Sequence, residues 1–131
     1  MRWLSFLRAG SASWGYITRD GAGVVDAGSR GAYPDLKAAI AAGALADVAA
    51  ACGDTADLPL AGLHYLPPVT QPEKILCVGL NYKAHQEETG RGGEAFPTIF
   101  ARFPNAQMGH EQHIVRPHES TTLDFAGEIA I

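Results

Sequence analysis

The chain has 131 residues, 47% of them hydrophobic and 18% charged, which suits one ordinary globular domain and excludes a disordered or fibrous protein. Its formal net charge of −4, without any run of lysine or arginine, argues against nucleic acid or an anionic membrane as main partner. The apolar stretches are too short for a membrane span or a signal peptide, so we expect a cytoplasmic protein.

The first residues predict a small antiparallel meander. Residues 2–8 alternate roughly between polar and apolar side chains, as a half-buried strand does. A second strand should follow, because its segment is rich in strand-forming side chains. These side chains are Trp14, Tyr16 and Ile17. The Asp20-Gly21 pair predicts a turn, and a further short strand is expected around Val24 and Val25.

A helix is predicted after the meander, from Pro34-Asp35 to Cys52. Proline suits the first turn of a helix, so Pro34 is expected there. Gly43 should divide the helix into two pieces, and Gly53-Asp54 should end it. Helical periodicity puts three apolar side chains on or near one face. They are Leu36, Ile40 and Leu45.

Proline density marks a boundary in the middle of the chain. The prolines concerned are Pro59, Pro67, Pro68 and Pro72. They favour extended backbone, and we place the boundary between residues 1–68 and residues 69–131. The expected fold class is α+β, with a small N-terminal α/β subdomain before a second domain.

Short strands are predicted beyond the boundary. Residues 75–78 are wholly apolar and should form one strand, with Cys77 as a buried small hydrophobic residue. Residues 97–103 should form another, with Ile99 and Phe100 in the core. A polar loop with a short strand around Ile114-Val115 is expected next.

Residues 125–131, FAGEIAI, have the pattern of a strand that stops in mid-run. A terminal strand needs partners, whereas chains usually end in a solvated tail. We therefore expect the 131 residues to be part of a longer polypeptide, with the second domain incomplete.

The segment from Lys74 to Gly90, KILCVGLNYKAHQEETG, carries the first candidate site. His85 and Glu88 are three residues apart and would be neighbours on a helix. A carboxylate beside an imidazole fixes its tautomer and raises its basicity, which suits a general base. Spacing alone favours a solvated surface pair, and only the surrounding sequence favours a functional one. The same segment also contains Tyr82.

These residues, together with LDFAGEIAI at the end of the chain, resemble the fumarylacetoacetate hydrolase family. The resemblance covers about residues 70–131. It implies that residues 69–131 begin a mixed β-roll catalytic domain that forms a homodimer. It also implies that His85 and Glu88 are the catalytic pair, and that Tyr82 lines the substrate site.

The resemblance further implies a metal site. Two glutamates two residues apart lie on one face of a strand, and oxygen ligands suit Mg²⁺, with Mn²⁺ or Ca²⁺ as alternatives. Glu128 matches the second metal-binding glutamate of the family, whereas Ala126 stands at the position of the first. We expect this alanine to weaken metal binding substantially. A solvated strand residue is the alternative role for Glu128.

Arg102 is a candidate for holding a substrate carboxylate, because a guanidinium matches a carboxylate in shape and charge. A strand-end arginine facing solvent is the alternative. A zinc site is disfavoured near the HEQH sequence, because one residue is missing from the HExxH spacing. The residues concerned are His110, Glu111, His113 and His118.

The implied activity is metal-dependent cleavage of a carbon–carbon bond in a β-diketo acid of the acylpyruvate type, as in aromatic degradation, with the chain weakened or inactive through Ala126. The implied partner is a small keto acid. One alternative is an isomerase or decarboxylase of a related keto acid. Another is a catalytically dead homologue that serves as a binding or dimerisation module, which Ala126 would favour.

Overall fold

The computed structural model describes residues 1–91, 96–123 and 129–131. Its larger sheet has five antiparallel strands in the order β4-β3-β2-β1-β5. The strands are β1 (Trp3–Arg8), β2 (Ser11–Ile17), β3 (Gly23–Val25), β4 (Leu58–Pro59) and β5 (His64–Leu66). The meander predicted from the sequence is therefore confirmed.

The β1–β2 connection shows how local sequence sets this sheet. Arg8 pairs with Ser11, so the loop has two residues, Ala9 and Gly10. Both have positive φ, 48° and 82°, as the preferred two-residue hairpin turn requires. Its twist matches that of the strands, which fixes the register along β1 and β2.

Two apolar clusters cover the two faces of the sheet. On one face, Trp14 and Ala27 pack against two helices, α1 (Leu36–Ala41) and α2 (Leu45–Cys52). On the other face, Leu4, Phe6 and Val24 pack against the loops around β4 and β5. Because apolar side chains are buried on both faces of the sheet, the N-terminal half of the chain has a hydrophobic core.

The helices begin and end close to the predicted positions. Asp35 caps α1, its carboxylate accepting a hydrogen bond from the Ala38 N–H at 2.7 Å, a contact typically contributing about 1 kcal/mol. Pro34 therefore precedes the cap instead of lying in the first turn. Gly43 has a φ of +64° and separates α1 from α2, as predicted. Ile40 is exposed, because Ala39 occupies the core-facing position.

The second half contains a two-stranded antiparallel sheet of β6 (Ile75–Gly79) and β7 (Thr98–Arg102), with α3 (Lys83–Thr89) between them in the chain. The two strands were predicted, and the helix is the setting in which the spacing of His85 and Glu88 would make them neighbours. The expected core positions were wrong, since Ile99 and Phe100 are exposed and Cys77 is half-buried. A two-stranded sheet has no opposing layer here among the described residues, so its apolar side chains remain in contact with solvent.

One further strand prediction is wrong, and a second lies mostly outside the described residues. Residues 112–117, which include Ile114-Val115, have no regular structure because no described strand pairs with them. Residues 129–131 are not in a strand, and residues 124–128 lie outside the described ranges. In the described part of the chain, every helix is too short or too polar to cross a membrane.

Candidate functional site

Helix α3 brings His85 and Glu88 together. The His85 Nδ1 atom lies 3.7 Å from a Glu88 carboxylate oxygen, as the three-residue spacing predicted. The two side chains are 56% and 80% exposed, so the pair faces open solvent. The separation suits an ion pair when His85 is protonated and is longer than a hydrogen bond.

Hydrogen bonds from its own side chains hold α3 in place. Gln86 donates from Nε2 to the Leu80 carbonyl at 2.6 Å, which ties the helix to the end of β6. Leu80 has a φ of +56°, unusual for a bulky side chain, and this local bend turns the chain from β6 into the helix. Thr89 donates to the His85 carbonyl at 2.8 Å, and Gly90 ends the helix in the left-handed conformation.

Tyr82 stands at the N-terminal boundary of α3, with extended backbone and a half-exposed ring. Tyr82 is three positions before His85, which lies in the first turn of this short helix. Tyr82 therefore directly precedes the helix that carries the His–Glu pair.

Arg102 lies at the opposite end of the β6–β7 sheet from α3. It pairs with Ile75, whereas α3 follows Gly79, which pairs with Thr98. Four residues of strand separate the two ends, about 13 Å at the usual rise per residue. The Arg102 guanidinium carbon lies 5.8 Å from the centre of the Phe100 ring, two residues earlier in β7. The structure does not bring Arg102 to the His85–Glu88 pair.

The implied metal site has an incomplete set of donors in this chain. Ala126 has no donor atom in its side chain, and Glu128, like Ala126, lies outside the described residues. Across the ranges that the structure does describe, no three histidine, cysteine, aspartate or glutamate side chains are close enough to share a metal ion. This includes the histidines near the HEQH sequence. In the described ranges, the donors therefore do not complete a Mg²⁺ shell, which calls for six oxygen ligands.

A concave surface on α3 was missed from the sequence. It has a volume of about 500 Å³ and is lined by Lys83, Gln86, Glu87 and Gly90. At 3.6 residues per turn, these four positions share one face of the helix, and His85 and Glu88 share the opposite one. The i, i+3, i+4, i+7 spacing of these four residues is the sequence signal from which this surface could have been predicted. Glu87 therefore belongs to this surface, in agreement with the choice of Glu88 as the partner of His85.

Comparison with known proteins accounts for the second half of the chain. Residues 74–131 match the family model described as "Fumarylacetoacetate (FAA) hydrolase C-terminal". This match includes every residue singled out above as a catalytic, substrate-binding or metal-binding candidate.

Similar proteins come from animals and an archaeon. A mitochondrial oxaloacetate tautomerase of Bos taurus is 38% identical over 74 residues, which cover 56% of this chain and 24% of the relative. A mitochondrial oxaloacetate tautomerase of Homo sapiens is 35% identical over 74 residues, which cover 56% of this chain and 24% of the relative. An uncharacterized protein of Archaeoglobus fulgidus is 38% identical over 78 residues, 60% of this chain and 31% of that protein. The chain thus spans about a quarter to a third of the curated relatives it matches.

Proposed function

Since the chain belongs to the fumarylacetoacetate hydrolase family through residues 74–131, we propose that it is part of an enzyme that moves a proton on a small keto acid. The observation that carries the proposal is the contact of His85 Nδ1 with the Glu88 carboxylate at 3.7 Å. It lies within the family match, and relatives named as oxaloacetate tautomerases share that part of the chain.

The proposed chemistry uses His85 as the base. Glu88 keeps the ring proton on Nδ1 and stabilises the positive charge that develops when Nε2 accepts a second proton. In a tautomerase, Nε2 takes the proton from the carbon beside the ketone, the electron pair moves into an enolate, and the proton returns to oxygen. Tyr82, at the start of the same helix, is proposed to line the substrate site.

Cleavage of an acylpyruvate is the second candidate, because the same base can take a proton from water. The hydroxide would attack the distal carbonyl, and the carbon–carbon bond would break to release an enolate. Relatives named as tautomerases favour proton transfer on the substrate itself. Arg102 remains a candidate for a substrate carboxylate, in a part of the site separate from the His85–Glu88 pair.

A bound Mg²⁺, with Mn²⁺ or Ca²⁺ as alternatives, would polarise the keto oxygen of the substrate. Glu128 is the donor that this chain offers at the two matched positions, and Ala126 offers none. The steps above are therefore derived from His85 and Glu88 alone. A chain without a working metal site would act as a binding module, the alternative that Ala126 favours.

The domain arrangement and assembly are proposals of the same kind. A boundary near residue 68 is supported by the end of β5 at Leu66 and the start of the family match at residue 74. A β-roll and a homodimer are both compatible with the exposed apolar side chains of β6 and β7. The two oxaloacetate tautomerases named above are mitochondrial, so a cytoplasmic location stays a prediction.

The test compares two reactions and three variants of the purified protein. Enol–keto interconversion of oxaloacetate and cleavage of an acylpyruvate can each be followed by ultraviolet absorbance. For whichever reaction the protein catalyses, His85→Gln should lower the rate by about 100-fold or more, and Glu88→Gln should lower it by about tenfold. Glu87→Gln, on the other face of α3, is the matched control and should change it less than about twofold. Wild-type protein that turns over neither substrate, or full activity in His85→Gln, would refute the proposal.

A further inference from the structure

A turn from Gly109 to Gln112 is docked on the edge strand β5, 47 residues earlier in the chain. The Gln112 side chain is half-buried, and its Nε2 donates to the Tyr65 carbonyl at 2.6 Å. The same nitrogen lies 3.0 Å from the Nε2 of His64, and its amide oxygen accepts a hydrogen bond from the Gly109 N–H at 3.3 Å. One amide therefore joins both sides of this contact.

Packing at Gly109 shows that the contact is close. Gly109 is buried, and a Cβ atom on it would overlap the Tyr65 carbonyl oxygen. The ring of His110 meets the ring of Tyr65 edge to face, with centroids 5.2 Å apart. The turn thus covers the open side of β5, whose other side is paired with β1.

The hydrogen bonds of Gln112 require a neutral His64. An amide nitrogen carries two protons, and here one goes to the Tyr65 carbonyl and the other to the His64 ring nitrogen. That ring nitrogen can accept only when it is unprotonated. If His64 is protonated, two donors face each other. Rotating the amide by 180° would give protonated His64 an acceptor, the amide oxygen. The amide nitrogen would then face the Gly109 N–H, another donor, and the hydrogen bond to the Tyr65 carbonyl would be lost.

We propose that His64 and Gln112 form a pH-dependent clasp, which docks the Gly109–Gln112 turn on β5 near neutral pH and releases it when His64 is protonated. Histidine side chains as a class change charge between about pH 5 and 8. The other titratable groups at the clasp are Tyr65 itself, and His110 and Glu111, which lie 3.7 Å apart. On β1, the residue opposite His64 is Leu7, which carries no charge. The ion pairs of the described residues do not include His64.

The experiment measures amide hydrogen exchange at Gly109 in the full chain, at about pH 5 and about pH 8, corrected for intrinsic exchange. The Gly109 N–H donates to Gln112, so its protection reports the closed clasp. We expect protection to fall about fivefold or more on acidification, the effect of losing one typical hydrogen bond. Equal protection at both pH values would overturn the proposal.

Two variants separate His64 from its neighbours. His64→Gln places an amide oxygen near the former Nε2 position, an acceptor that cannot titrate, so the pH effect should disappear; its persistence would overturn the proposal. His113→Gln, at an exposed histidine next to the clasp, should retain the effect.

Discussion

Arg8 and Asp26 form an ion pair across the edge of the core, with Arg8 Nη1 2.6 Å from a carboxylate oxygen of Asp26. The Asp26 side chain is fully buried, and its other oxygen accepts hydrogen bonds from the Ser13 hydroxyl and the Ser29 N–H. A buried carboxylate keeps its charge at low cost only when such partners surround it.

Replacing Arg8 by methionine should lower the free energy of unfolding by about 3 kcal/mol, because it leaves a buried charge without its cation. Urea denaturation followed by fluorescence measures this loss. Arg19→Met is the control: its partner Asp54 is 3.9 Å away and Arg19 is 85% exposed, so the change should stay below about 1 kcal/mol. Equal effects of the two variants would contradict the prediction.

Asp57 should make stability depend on acid pH. Burial raises the pKa of its carboxyl, but hydrogen bonds from the Asp26 N–H and from Arg30 outweigh burial and hold the pKa below its ordinary value of 3.8. A lowered pKa in the folded state adds stability that is complete above the unfolded pKa and is lost as pH falls through the folded pKa.

Asp57→Asn should therefore flatten the decline in unfolding free energy between about pH 4 and about pH 2, while also lowering stability near neutrality. Urea titrations at several pH values measure both effects. Arg30→Gln removes one of the two hydrogen-bonding partners and should flatten the curve in part. An acid slope that is unchanged in both variants would rule out this role for Asp57.

Gly15 lies where β2 passes close to β3. A Cβ atom at this position would overlap the Val25 carbonyl oxygen, which is fixed by the sheet. Gly15→Ala should cost about 3 kcal/mol or more, seen as a lower thermal midpoint. Gly10→Ala is the comparison: its Cβ meets open space, and its φ of +82° should cost about 1–2 kcal/mol. A larger loss at Gly10 would contradict the prediction.

Ala126→Glu should strengthen Mg²⁺ binding about tenfold or more, because it adds a second carboxylate two residues from Glu128, and the strand predicted from the sequence would put both on one face. Isothermal titration calorimetry with MgCl₂ measures the affinity. Ala126→Gln adds similar volume without charge and should gain much less. Equal affinities of the wild-type and Ala126→Glu proteins would show that position 126 does not contribute to a metal site.

What could be predicted from sequence was decided by local interactions. The hairpin at Ala9-Gly10, the break at Gly43 and the His85–Glu88 contact involve residues a few positions apart, so turn chemistry and helical spacing sufficed. Burial of Ile99 depends on which layer covers β7, and nothing local to residues 97–103 determines that. The contact of Gln112 with Tyr65 spans 47 residues and involves a loop that composition marks only as polar. Arg102 and α3 lie at opposite ends of the β6–β7 sheet, and this separation follows from the strand register.

The two tryptophans of the chain, Trp3 and Trp14, lie with ring centroids 5.9 Å apart inside the N-terminal sheet. Intrinsic fluorescence excited at the indole absorption band therefore reports on the N-terminal half of the molecule. Melting of α3 would leave that emission unchanged while the His85–Glu88 pair came apart. A tryptophan introduced in place of Phe100, half-exposed on β7, would give the second half a signal of its own.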